Sequence, residues 1–564
     1  MSATPRPQSV RGICLQSVAE CAGVPATTDV MVHLSPRKAS RPGVTGVTLD
    51  SRAVRPGDLY AALPGANVHG ARFVGAAIGL GAVAVLTDPA GAALLALREV
   101  PVPVLVVAEP RAVLGEVAAL IYGRASRELT MLGITGTNGK TTTAYLLDSA
   151  LHALGAVTGL IGTVETRIGQ ETIKSVRTTP ESADLHALFA VMLERGVGTC
   201  TMEVSSHALT LHRVDGVRFD VAAFTNLSQD HLDFHGSMEE YFQAKASLFT
   251  PERAVRAVVC VDDEWGQRLV RESRVPVVSI SSLPDVPADW QIHTTGLDAS
   301  AFDLVAGDRR MSLRSALAGD FNRVNTAVAA LVLLGSGYPP DAIEAALAAD
   351  PHVPGRMERV QVGGARTAGS AEPVGGPASD VMPLAVVDFA HTPVAVASAL
   401  KALRHSTSGL LIVVLGAGGD RDSGKRAAMG AAAAAGADVV IVTDDNPRSE
   451  DPATIRAAVV AGALGEQDPV RPSPSRIREI GDRGTAIREA VARAGPGDTV
   501  VVLGKGHESG QETAGVVHPF DDRAQLRAAL TERAASMTQT ASMNHSATSD
   551  QPATRDQPAS GEHR

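Results

Sequence analysis

The stretch MLGITGTNGKTTTAYLL, residues 131–147, decides the fold of the chain. The apolar run TMLGIT precedes a Gly-rich turn, and an apolar helical pattern follows it. A strand, a Gly-rich turn and a helix in this order are typical of a phosphate loop, in which backbone N–H groups and the helix N-terminus bind phosphate. In such a loop Lys140 reaches the terminal phosphates and the Thr141 hydroxyl ligates Mg²⁺.

One position departs from the general phosphate-loop pattern. The consensus places a glycine where Ile134 stands. The alternative interpretation is an ordinary Gly-rich turn between a strand and a helix. The Gly-Lys-Thr-Thr sequence directly before the helix favours the phosphate loop.

Acidic and imidazole side chains follow the loop at positions that suit a metal. The strand GTCTMEV ends at Glu203, and the segment FTNLSQDHLDFHG contains His231. A carboxylate at the end of a buried strand beside a phosphate loop is well placed to bind Mg²⁺. Each residue alone is equally compatible with a helix cap or a core position, but their joint occurrence after the loop favours a metal site.

Length and composition predict several soluble domains. The chain has 564 residues, of which 45% are hydrophobic and 20% charged, and domains commonly hold about 100 to 200 residues. Short apolar runs between Gly and Pro turns predict a small α/β domain from Val44. Four strand-like runs, LAVVDFA, LLIVVLG, VVIVTDD and TVVVLG, alternate with helical stretches and predict a doubly wound domain near the C-terminus.

These patterns predict an α/β protein of three domains: a small N-terminal domain, a central domain like those of P-loop ATPases, and a Rossmann-like C-terminal domain. The expected boundaries are a flexible arm at 1–40, the first domain at 41–125, the central domain at 126–355, the third domain at 356–534 with a mobile loop at 363–380, and a disordered tail at 535–564.

Charge and cysteine content exclude several classes of protein. The net charge is −10 and no long Lys/Arg stripe stands out, which argues against nucleic-acid binding. The four cysteines have neither CxxC nor zinc-ligand spacing and are expected to be buried in a reducing compartment. No apolar run approaches the roughly 20 residues of a membrane helix. We therefore expect a cytoplasmic protein without membrane insertion.

The motifs of the chain resemble those of the Mur ligases, and within them the MurE type, the tripeptide synthetases. The matching segments occur in the family's order between about Thr48 and Phe520: TGTNGKTT, RTTP, MEVSSHAL, FTNLSQDHLDFHG, YFQAKASLF, GDFNRVN, VPGRME, VDFAHTP, GGDRDSGKR, DDNPR and GKGHE. The resemblance implies an ATP-dependent ligase of peptidoglycan synthesis that adds meso-diaminopimelate to UDP-N-acetylmuramoyl-L-alanyl-D-glutamate through an acyl phosphate.

The resemblance also implies the residues around ATP and Mg²⁺. Those matching the phosphate loop are Gly136, Thr137, Asn138, Gly139, Lys140, Thr141 and Thr142. Asn322, Arg356, Asp388 and His391 match further nucleotide contacts. Thr141 and Glu203 would bind one Mg²⁺, and His231 and Lys245 a second, with Lys245 as an N-carboxylated lysine. Lys140, Glu203, His231 and Lys245 form the implied catalytic set.

Substrate contacts are implied in the same way. Positions matching the uridine site are Leu49, Ser51, Ala66, Asn67 and Val68, and those matching the muramoyl-peptide site are Thr178, Thr179, Ser205 and Arg213. The implied diaminopimelate pocket contains Arg421, Asp445, Asn446, Pro447, Arg448, Gly504 and Glu508. The sequence departs from some members at Leu211, where they carry Gln, and at Arg177, where they carry Asn.

Three alternatives remain open at this level. One is a ligase of the same superfamily, such as a lysine-adding synthetase, the D-alanyl-D-alanine-adding enzyme or a folylpolyglutamate synthetase. Another is a nucleotide-binding regulatory protein without catalysis, although the loop lysine and the implied metal ligands are all present. The third concerns Arg448, which could pair with a nearby acid instead of a substrate carboxylate.

Overall fold

The computed structural model describes residues 4–24, 43–65, 67–96, 100–294, 298, 300–362, 382–465 and 476–548. The chain forms two compact units, Met1–Pro354 and Gly355–Arg564. The first unit contains a four-stranded and an eleven-stranded sheet, and the second a six-stranded sheet and a two-stranded hairpin. Among the described helices, none combines the length and apolar character needed to cross a membrane. Helices pack on largely parallel sheets, so the predicted α/β class is confirmed.

The first sheet is fully parallel, with order β1-β2-β3-β4. Helix α4 packs its apolar face on the same core. The elements are α1 (Leu15–Cys21), β1 (Gly46–Thr48), β2 (Asp58–Ala62), a 3₁₀ helix (Gly70–Phe73), α2 (Val74–Gly79), β3 (Ala84–Thr87), α3 (Pro89–Leu95), β4 (Val104–Val106), α4 (Pro110–Ile121) and a second 3₁₀ helix (Ala125–Arg127).

The expectation of a flexible arm at 1–40 is wrong for residues 4–24. Val18 of α1 is fully buried in the core of the first sheet. Arg6 donates to the Asp58 carboxylate at 2.6 Å, and both side chains are nearly buried. The apolar face of α1, this ion pair and the backbone bridge between Ile13 and Val44 hold the segment. Residues 25–42 lie outside the described part.

The central sheet has the order β15-β14-β13-β12-β11-β10-β5-β9-β6-β7-β8. Its seven middle strands, β13 to β6 in this order, are parallel, and antiparallel hairpin strands extend both edges. Separate hydrophobic cores, one containing α6 and the other α5 and α11, cover its two faces. Burial on both faces explains why these strands read as continuous apolar runs.

The elements of the central sheet are β5 (Thr130–Thr135), α5 (Lys140–Ala153), β6 (Thr158–Ile161), β7 (Glu165–Ile168), β8 (Glu171–Lys174), α6 (Ser182–Glu194), β9 (Thr199–Glu203), α7 (Ser206–Thr210), β10 (Phe219–Phe224), α8 (Leu232–His235), α9 (Met238–Ala246), β11 (Ala254–Cys260), α10 (Glu264–Glu272), β12 (Val277–Ser281), β13 (Trp290–Thr294), β14 (Ala301–Ala306), β15 (Arg309–Arg314), α11 (Asp320–Gly335) and α12 (Pro340–Leu347).

The second unit holds the sheet β16-β17-β21-β18-β19-β20, parallel except for β16. The four predicted apolar runs form β17, β18, β19 and β21. Its elements are β16 (Glu358–Arg359), β17 (Leu384–Asp388), α13 (Pro393–Arg404), β18 (Leu411–Leu415), α14 (Lys425–Gly436), β19 (Val439–Val442), α15 (Pro452–Gly465), β20 (Ile477–Glu479), α16 (Arg483–Arg493), β21 (Thr499–Leu503), β22 (Gly510–Thr513), β23 (Val516–Pro519) and α17 (Asp522–Thr548).

The predicted disordered tail begins too early at residue 535, because α17 continues to Thr548. Leu526 and Leu530 anchor the first turns of this helix in the core. The following Ala, Glu, Arg and Met residues have high helix propensity, so the helix extends beyond its buried part. Residues 549–564 and the predicted mobile loop at 363–380 lie outside the described residues.

The cysteines are only partly as predicted. Cys200 and Cys260 are buried, whereas Cys21 is partly exposed and Cys14 is exposed. The last two lie at the ends of the short helix α1, where a small packing surface leaves one side open. All four are free thiols.

Candidate active site

The predicted phosphate loop connects β5 to α5 at the carboxyl edge of the central sheet. Gly136 has φ of 145° and Gly139 has φ of 90°, a region that L side chains rarely adopt. A Cβ at position 136 would lie 1.9 Å from Thr225 Oγ1. Both glycines are therefore required by the backbone, and Thr142 is buried in the first turn of the helix.

The segment after β10 holds the loop in place. Thr225 Oγ1 donates to the Asn138 carbonyl at 2.6 Å, and the Asn138 backbone N–H donates to Asn226 Oδ1 at 3.0 Å. Thr137 Oγ1 donates to the Ser228 carbonyl at 3.2 Å. These bonds link the TGTNG and FTNLS motifs, which are about ninety residues apart in sequence, into one rigid loop pair.

Two lysines converge on one carbonyl of this loop. Lys140 Nζ donates to the Gly136 oxygen at 2.8 Å, and Lys245 Nζ donates to the same oxygen at 2.9 Å. Lys140 also donates to the Thr137 carbonyl at 2.9 Å. Lys245, from α9, is only 1% exposed. The two lysine nitrogens therefore meet at the phosphate loop, where the Lys140 ammonium attracts anions.

The environment of Lys245 disfavours its ammonium form. Burial lowers the pKa of Lys245 well below its usual value, Lys140 lowers this pKa further, and Asp230 opposes the change. The Lys245 nitrogen lies 4.7 Å from the centre of the Tyr241 ring. A larger neutral fraction of this amine makes it a better nucleophile.

Glu203 occupies the end of β9, beside β5, and is 1% exposed. Its Oε2 accepts hydrogen bonds from the Thr141 and Thr163 hydroxyls, both at 3.0 Å. Its Oε1 accepts from the Thr163 backbone N–H at 2.8 Å. Adjacent parallel strands end at one edge, which explains why a distant carboxylate meets the loop threonine.

His231 lies at the start of α8 with φ of 54°. Its ring packs edge-on against His207 at 4.9 Å between centroids, and Asp230 Oδ2 lies 3.6 Å from its Nε2. Partial burial lowers the pKa of His231, and the His207 ring adds to this, whereas Asp230 opposes it. The imidazole is therefore neutral near pH 7 and has the protonation state that a metal ligand needs.

The phosphate loop and the end of β9 place two oxygen donors of the kind that Mg²⁺ prefers next to each other. Among the residues that the structure describes, no three His, Cys, Asp or Glu side chains gather into a metal-binding group. Mg²⁺ bound with a nucleotide commonly takes one or two protein oxygens and completes its shell with phosphate and water. The adjacent Thr141 hydroxyl and Glu203 carboxylate fit this type of site.

Residues implied in muramoyl-peptide binding lie around Glu203, in the loop before α6 and in the segment after β9. Thr179 Oγ1 donates to the Glu203 carbonyl at 2.9 Å, and it accepts from the Ser205 backbone N–H at 3.1 Å. Thr178 Oγ1 lies 3.0 Å from the hydroxyl of Thr163. Ser205 caps α7 by accepting from the Ala208 N–H at 3.2 Å. The RTTP and MEVSSH motifs therefore form one continuous surface.

A cluster of three arginines adjoins that surface. The guanidinium groups of Arg111, Arg177 and Arg213 lie 2.8, 3.7 and 3.1 Å from the Glu181 carboxylate. One carboxylate cannot balance three cations, so the cluster keeps an excess positive charge. Arg177, the departure noted in the sequence, belongs to this cluster and is half exposed. Leu211, the other departure, has no hydrogen-bonding group in its side chain.

Residues implied in uridine binding lie in two loops of the first sheet. Leu49 and Ser51 follow β1, and Asn67 and Val68 follow β2. The two strands are neighbours and parallel, so both loops leave the same edge. Val68 is 44% exposed, as apolar side chains at loop tips often are. Ala66 lies outside the described residues.

The other residues implied in nucleotide binding lie in both units. In the first, Asn322 is buried in α11 and donates to the Ala318 carbonyl at 2.7 Å.

In the second unit, Asp388 accepts from the backbone N–H groups of Met357 and Ala390 at 2.7 and 2.8 Å. The Arg356 guanidinium stacks 4.2 Å from the Phe389 ring centre. His391 Nδ1 lies 2.8 Å from the Phe389 carbonyl oxygen. Burial raises the pKa of Asp388, and Arg356 opposes this rise. Arg356, Asp388 and His391 thus form a group around one loop.

The implied diaminopimelate residues gather after β18, β19 and β21. Asn446 Nδ2 donates to Glu508 Oε2 at 2.9 Å. A Cβ on Gly504 would lie 2.5 Å from Asp445 Oδ2, and a Cβ on Gly419 would lie 1.9 Å from the Pro447 carbonyl. The close loop packing therefore depends on these glycines.

Arg448 lies beside this group with φ of 52°. Its NH1 donates to the Gly419 carbonyl at 2.5 Å, and its Nε lies 3.5 Å from Glu512 Oε2. The alternative in which Arg448 pairs with a nearby acid therefore matches the structure, although the distance is longer than that of a good hydrogen bond. Arg421 is exposed on the neighbouring loop.

Sequence reasoning missed three residues of these sites. Thr163 binds both oxygens of Glu203 and Glu181 holds the arginine cluster, but neither stands in a motif quoted from the sequence. Lys505 is fully buried and donates to Asn446 Oδ1 and Glu508 Oε2 at 2.9 and 3.2 Å. Its place inside the quoted GKGHE motif was a usable signal.

Three family models match this chain. Family models described as Mur ligase family, catalytic domain, Mur ligase middle domain, and Mur ligase, glutamate ligase domain match residues 43–122, 134–333 and 372–506. They cover the predicted first, central and C-terminal domains in that order and support the three-domain architecture.

Similar proteins share most of the chain. A protein of Streptomyces avermitilis named UDP-N-acetylmuramoyl-L-alanyl-D-glutamate--2,6-diaminopimelate ligase is 54% identical over 87% of this chain and 93% of its own. A protein of the same name from Corynebacterium glutamicum is 48% identical over 87% and 92%. A solved structure titled as the same ligase is 30% identical, with a TM-score of 0.59 and coverage of 90% and 98%. The chain belongs to the Mur ligase family.

Proposed function

We propose that this chain uses ATP to join meso-diaminopimelate to UDP-N-acetylmuramoyl-L-alanyl-D-glutamate, a step of peptidoglycan precursor synthesis in the cytoplasm. The observation that carries the proposal is the convergence of Lys140, Thr141, Glu203 and Lys245 on the Gly-rich loop. The names of relatives that are 48 to 54% identical supply the substrate class.

In the first step, an oxygen of the D-glutamyl γ-carboxylate attacks the γ-phosphorus of ATP. The bond between that phosphorus and the β–γ bridging oxygen breaks, so ADP leaves and an acyl phosphate forms. Two anions must approach each other, and this repulsion is the main barrier that a protein can lower. Lys140 at the loop offsets the charge of the phosphates, and the arginine cluster around Glu181 is suited to hold the peptide carboxylates.

In the second step, a neutral amino group of diaminopimelate attacks the acyl carbon. The tetrahedral intermediate expels inorganic phosphate, and the nitrogen loses a proton as the amide forms. Lys140 can balance the charge on the departing phosphate as it did on the transferred one. Water must be excluded meanwhile, because it hydrolyses an acyl phosphate.

We further propose that Thr141 and Glu203 hold one Mg²⁺ and that His231 and Lys245 serve a second. Bound Mg²⁺ would neutralise phosphate charge and orient the γ-phosphate. The Thr141 hydroxyl and the Glu203 carboxylate are hard oxygen donors in mutual contact, which suits this ion.

Lys245 suits Mg²⁺ only after modification, because an ammonium has no lone pair and because Mg²⁺ prefers oxygen ligands to a neutral amine nitrogen. Its neutral amine can add to CO₂: a C–N bond forms, one C–O π bond of CO₂ opens, and a proton leaves to solvent, giving a carbamate. The burial and the nearby Lys140 that lower its pKa favour this reaction. The product is a negatively charged oxygen ligand in place of a cation.

In the second unit, the pocket after β19 and β21 suits an amino acid with a distal zwitterion. Arg448 carries donors for the distal carboxylate, and a guanidinium grips that group with two parallel bonds. Glu508 and Asp445 are acceptors for its ammonium. Lysine lacks the distal carboxylate and would leave Arg448 without its anion.

A coupled assay tests the proposal. Purified protein is incubated with ATP, Mg²⁺, the UDP-muramoyl dipeptide and, separately, meso-diaminopimelate, L-lysine, D-alanyl-D-alanine and glutamate. We expect phosphate release and the tripeptide product by mass spectrometry with diaminopimelate alone. Equal turnover of lysine would identify the lysine-adding alternative. ATP binding without product from any amine would support a regulatory protein instead.

A further inference from the structure

A lysine without solvent exposure lies between the two loops of the second unit that carry the amino-acid pocket. Lys505 is 0% exposed. We propose that Lys505 is a positioning residue that sets selection of the amino acid by fixing Asn446 and Glu508. The inference rests on the proposed function, because it concerns the pocket for the added amino acid.

The two loops meet because their strands run in the same direction. β19 and β21 lie on either side of β18 in a parallel arrangement, so the segments after Val442 and Leu503 leave the same edge. Lys505 belongs to the second loop, and its Nζ donates to Asn446 Oδ1 of the first loop at 2.9 Å. One buried ammonium therefore joins two loops whose sequence positions are about sixty residues apart.

Lys505 determines which way the Asn446 amide faces. Asn446 Oδ1 accepts from Lys505 Nζ and from the Glu512 backbone N–H at 3.0 Å. A rotation by half a turn would place the amide NH₂ against both donors, which is unfavourable. The NH₂ group must therefore point to Glu508, to which it donates at 2.9 Å.

This orientation fixes the carboxylate of Glu508 as well. Its Oε2 accepts from both Lys505 and Asn446. Its Oε1 stays available for the ammonium of a substrate, and 36% of the side chain is exposed. Asp445 Oδ1 lies 3.7 Å from the same lysine nitrogen. Without Lys505, the carboxylates of Glu508 and Asp445 would repel each other and Asn446 could rotate.

Lys505→Met should weaken the use of diaminopimelate selectively. The KM for diaminopimelate should rise about ten- to a hundredfold, the range expected when a charged hydrogen-bond donor is lost. The KM values for ATP and for the UDP-muramoyl dipeptide should change less than about twofold, because the hydrogen bonds of Lys505 go to Asn446 and Glu508 of the amino-acid pocket. The preference for diaminopimelate over lysine should fall in parallel.

A matched control separates this role from general stability. Arg404 donates to Asp438 at 2.7 Å, and Asp438 precedes β19 at the opposite edge of the sheet. Arg404→Met removes an ion pair of the same unit away from the pocket. It is expected to lower the melting temperature without raising the KM for diaminopimelate.

A double-variant cycle tests whether Lys505 acts through Glu508. In the Glu508→Gln background, adding Lys505→Met should raise the KM for diaminopimelate little further. Independent effects that multiply in the double variant would overturn the inference. If Lys505→Met does not fold, the same KM values are measured for Lys505→Gln. Its amide can still donate a hydrogen bond but carries no charge.

The unaltered protein and Lys505→Met together distinguish an error about Lys505 from an error about the proposed function. If the unaltered protein adds diaminopimelate but Lys505→Met keeps its KM and selectivity, the positioning role is wrong. If the unaltered protein does not add diaminopimelate, the proposed function itself is wrong.

Discussion

Replacing Lys245 with methionine should stabilise the protein while abolishing ligation. The Lys140 and Lys245 nitrogens lie 2.8 and 2.9 Å from the same Gly136 oxygen, hence less than about 6 Å apart. Two unit charges at that separation repel by about 3 kcal/mol at an effective dielectric constant of about 20. Desolvation of a buried ammonium adds to this cost.

The amine can escape the repulsion by losing its proton. Discharging a lysine of ordinary pKa at pH 7 costs about 5 kcal/mol, which is the upper limit of the penalty. Lys245→Met loses a charged hydrogen bond of about 1.5 to 3 kcal/mol, but Lys140 still donates to Gly136, so no buried carbonyl is left unpaired. We therefore expect a gain of about 1 to 3 kcal/mol in the free energy of unfolding at pH 7 in CO₂-free buffer.

The pH dependence has a definite sign. The pKa of Lys245 is lowered in the folded state, so the unfolded chain binds the additional proton. The stability of the unaltered protein should rise with pH between the lowered pKa and the ordinary value near 10.4, and the advantage of Lys245→Met should shrink accordingly. Bicarbonate should shrink it too, because the carbamate attracts Lys140.

Chemical denaturation of both proteins, with and without bicarbonate, measures these differences. Native mass spectrometry should show an addition of about 44 Da, one CO₂, on the unaltered protein only. Lys174→Met, which replaces an exposed lysine of the same sheet, serves as the control. A Lys245→Met protein that is less stable in CO₂-free buffer at pH 7 would refute the repulsion argument. Stability unchanged by bicarbonate would refute the carbamate.

Three further predictions concern the other site residues. Lys140→Ala should fold normally by circular dichroism but lose about a hundred- to a thousandfold in kcat for phosphate release, because the charge that balances the phosphates is gone. Glu203→Gln should raise the Mg²⁺ concentration for half-maximal activity about tenfold or more, with the unaltered protein titrated in parallel. Arg448→Met should reduce discrimination between diaminopimelate and lysine by about ten- to a hundredfold. An unchanged ratio of the kcat/KM values for the two amino acids would contradict the proposed contact of Arg448 with the distal carboxylate.

The parts of the site that follow from local pattern were predictable from the sequence. The glycines, the lysine and the flanking strand and helix together predict the phosphate loop at 136–142. Glu203 follows from its position at the end of an apolar strand, because neighbouring parallel strands end at one edge. Both inferences need only short windows of sequence.

Features that depend on tertiary packing were not predictable. Nothing near Lys245 shows that its nitrogen meets the carbonyl of Gly136, which is 109 positions away. The cluster around Glu181 combines Arg111 of α4, which is 70 positions away, with Arg177 and Arg213 from two loops. The arm was misjudged because it is held by partners that are distant in sequence: Val18 packs in the core of the first sheet and Arg6 pairs with Asp58.

The shared core between the first and central sheets has a consequence for substrate length. Ala183 and Ala187 of α6 pack in the same core as Leu59 and Leu86 of the first sheet, and Arg111 bridges to Glu181 across the boundary. The loops implied in uridine binding and the phosphate loop are therefore attached to one packed core at a fixed spacing. Under the proposed function, this spacing would select for peptide length, because a precursor one amino acid shorter or longer would place its terminal carboxylate away from the γ-phosphate.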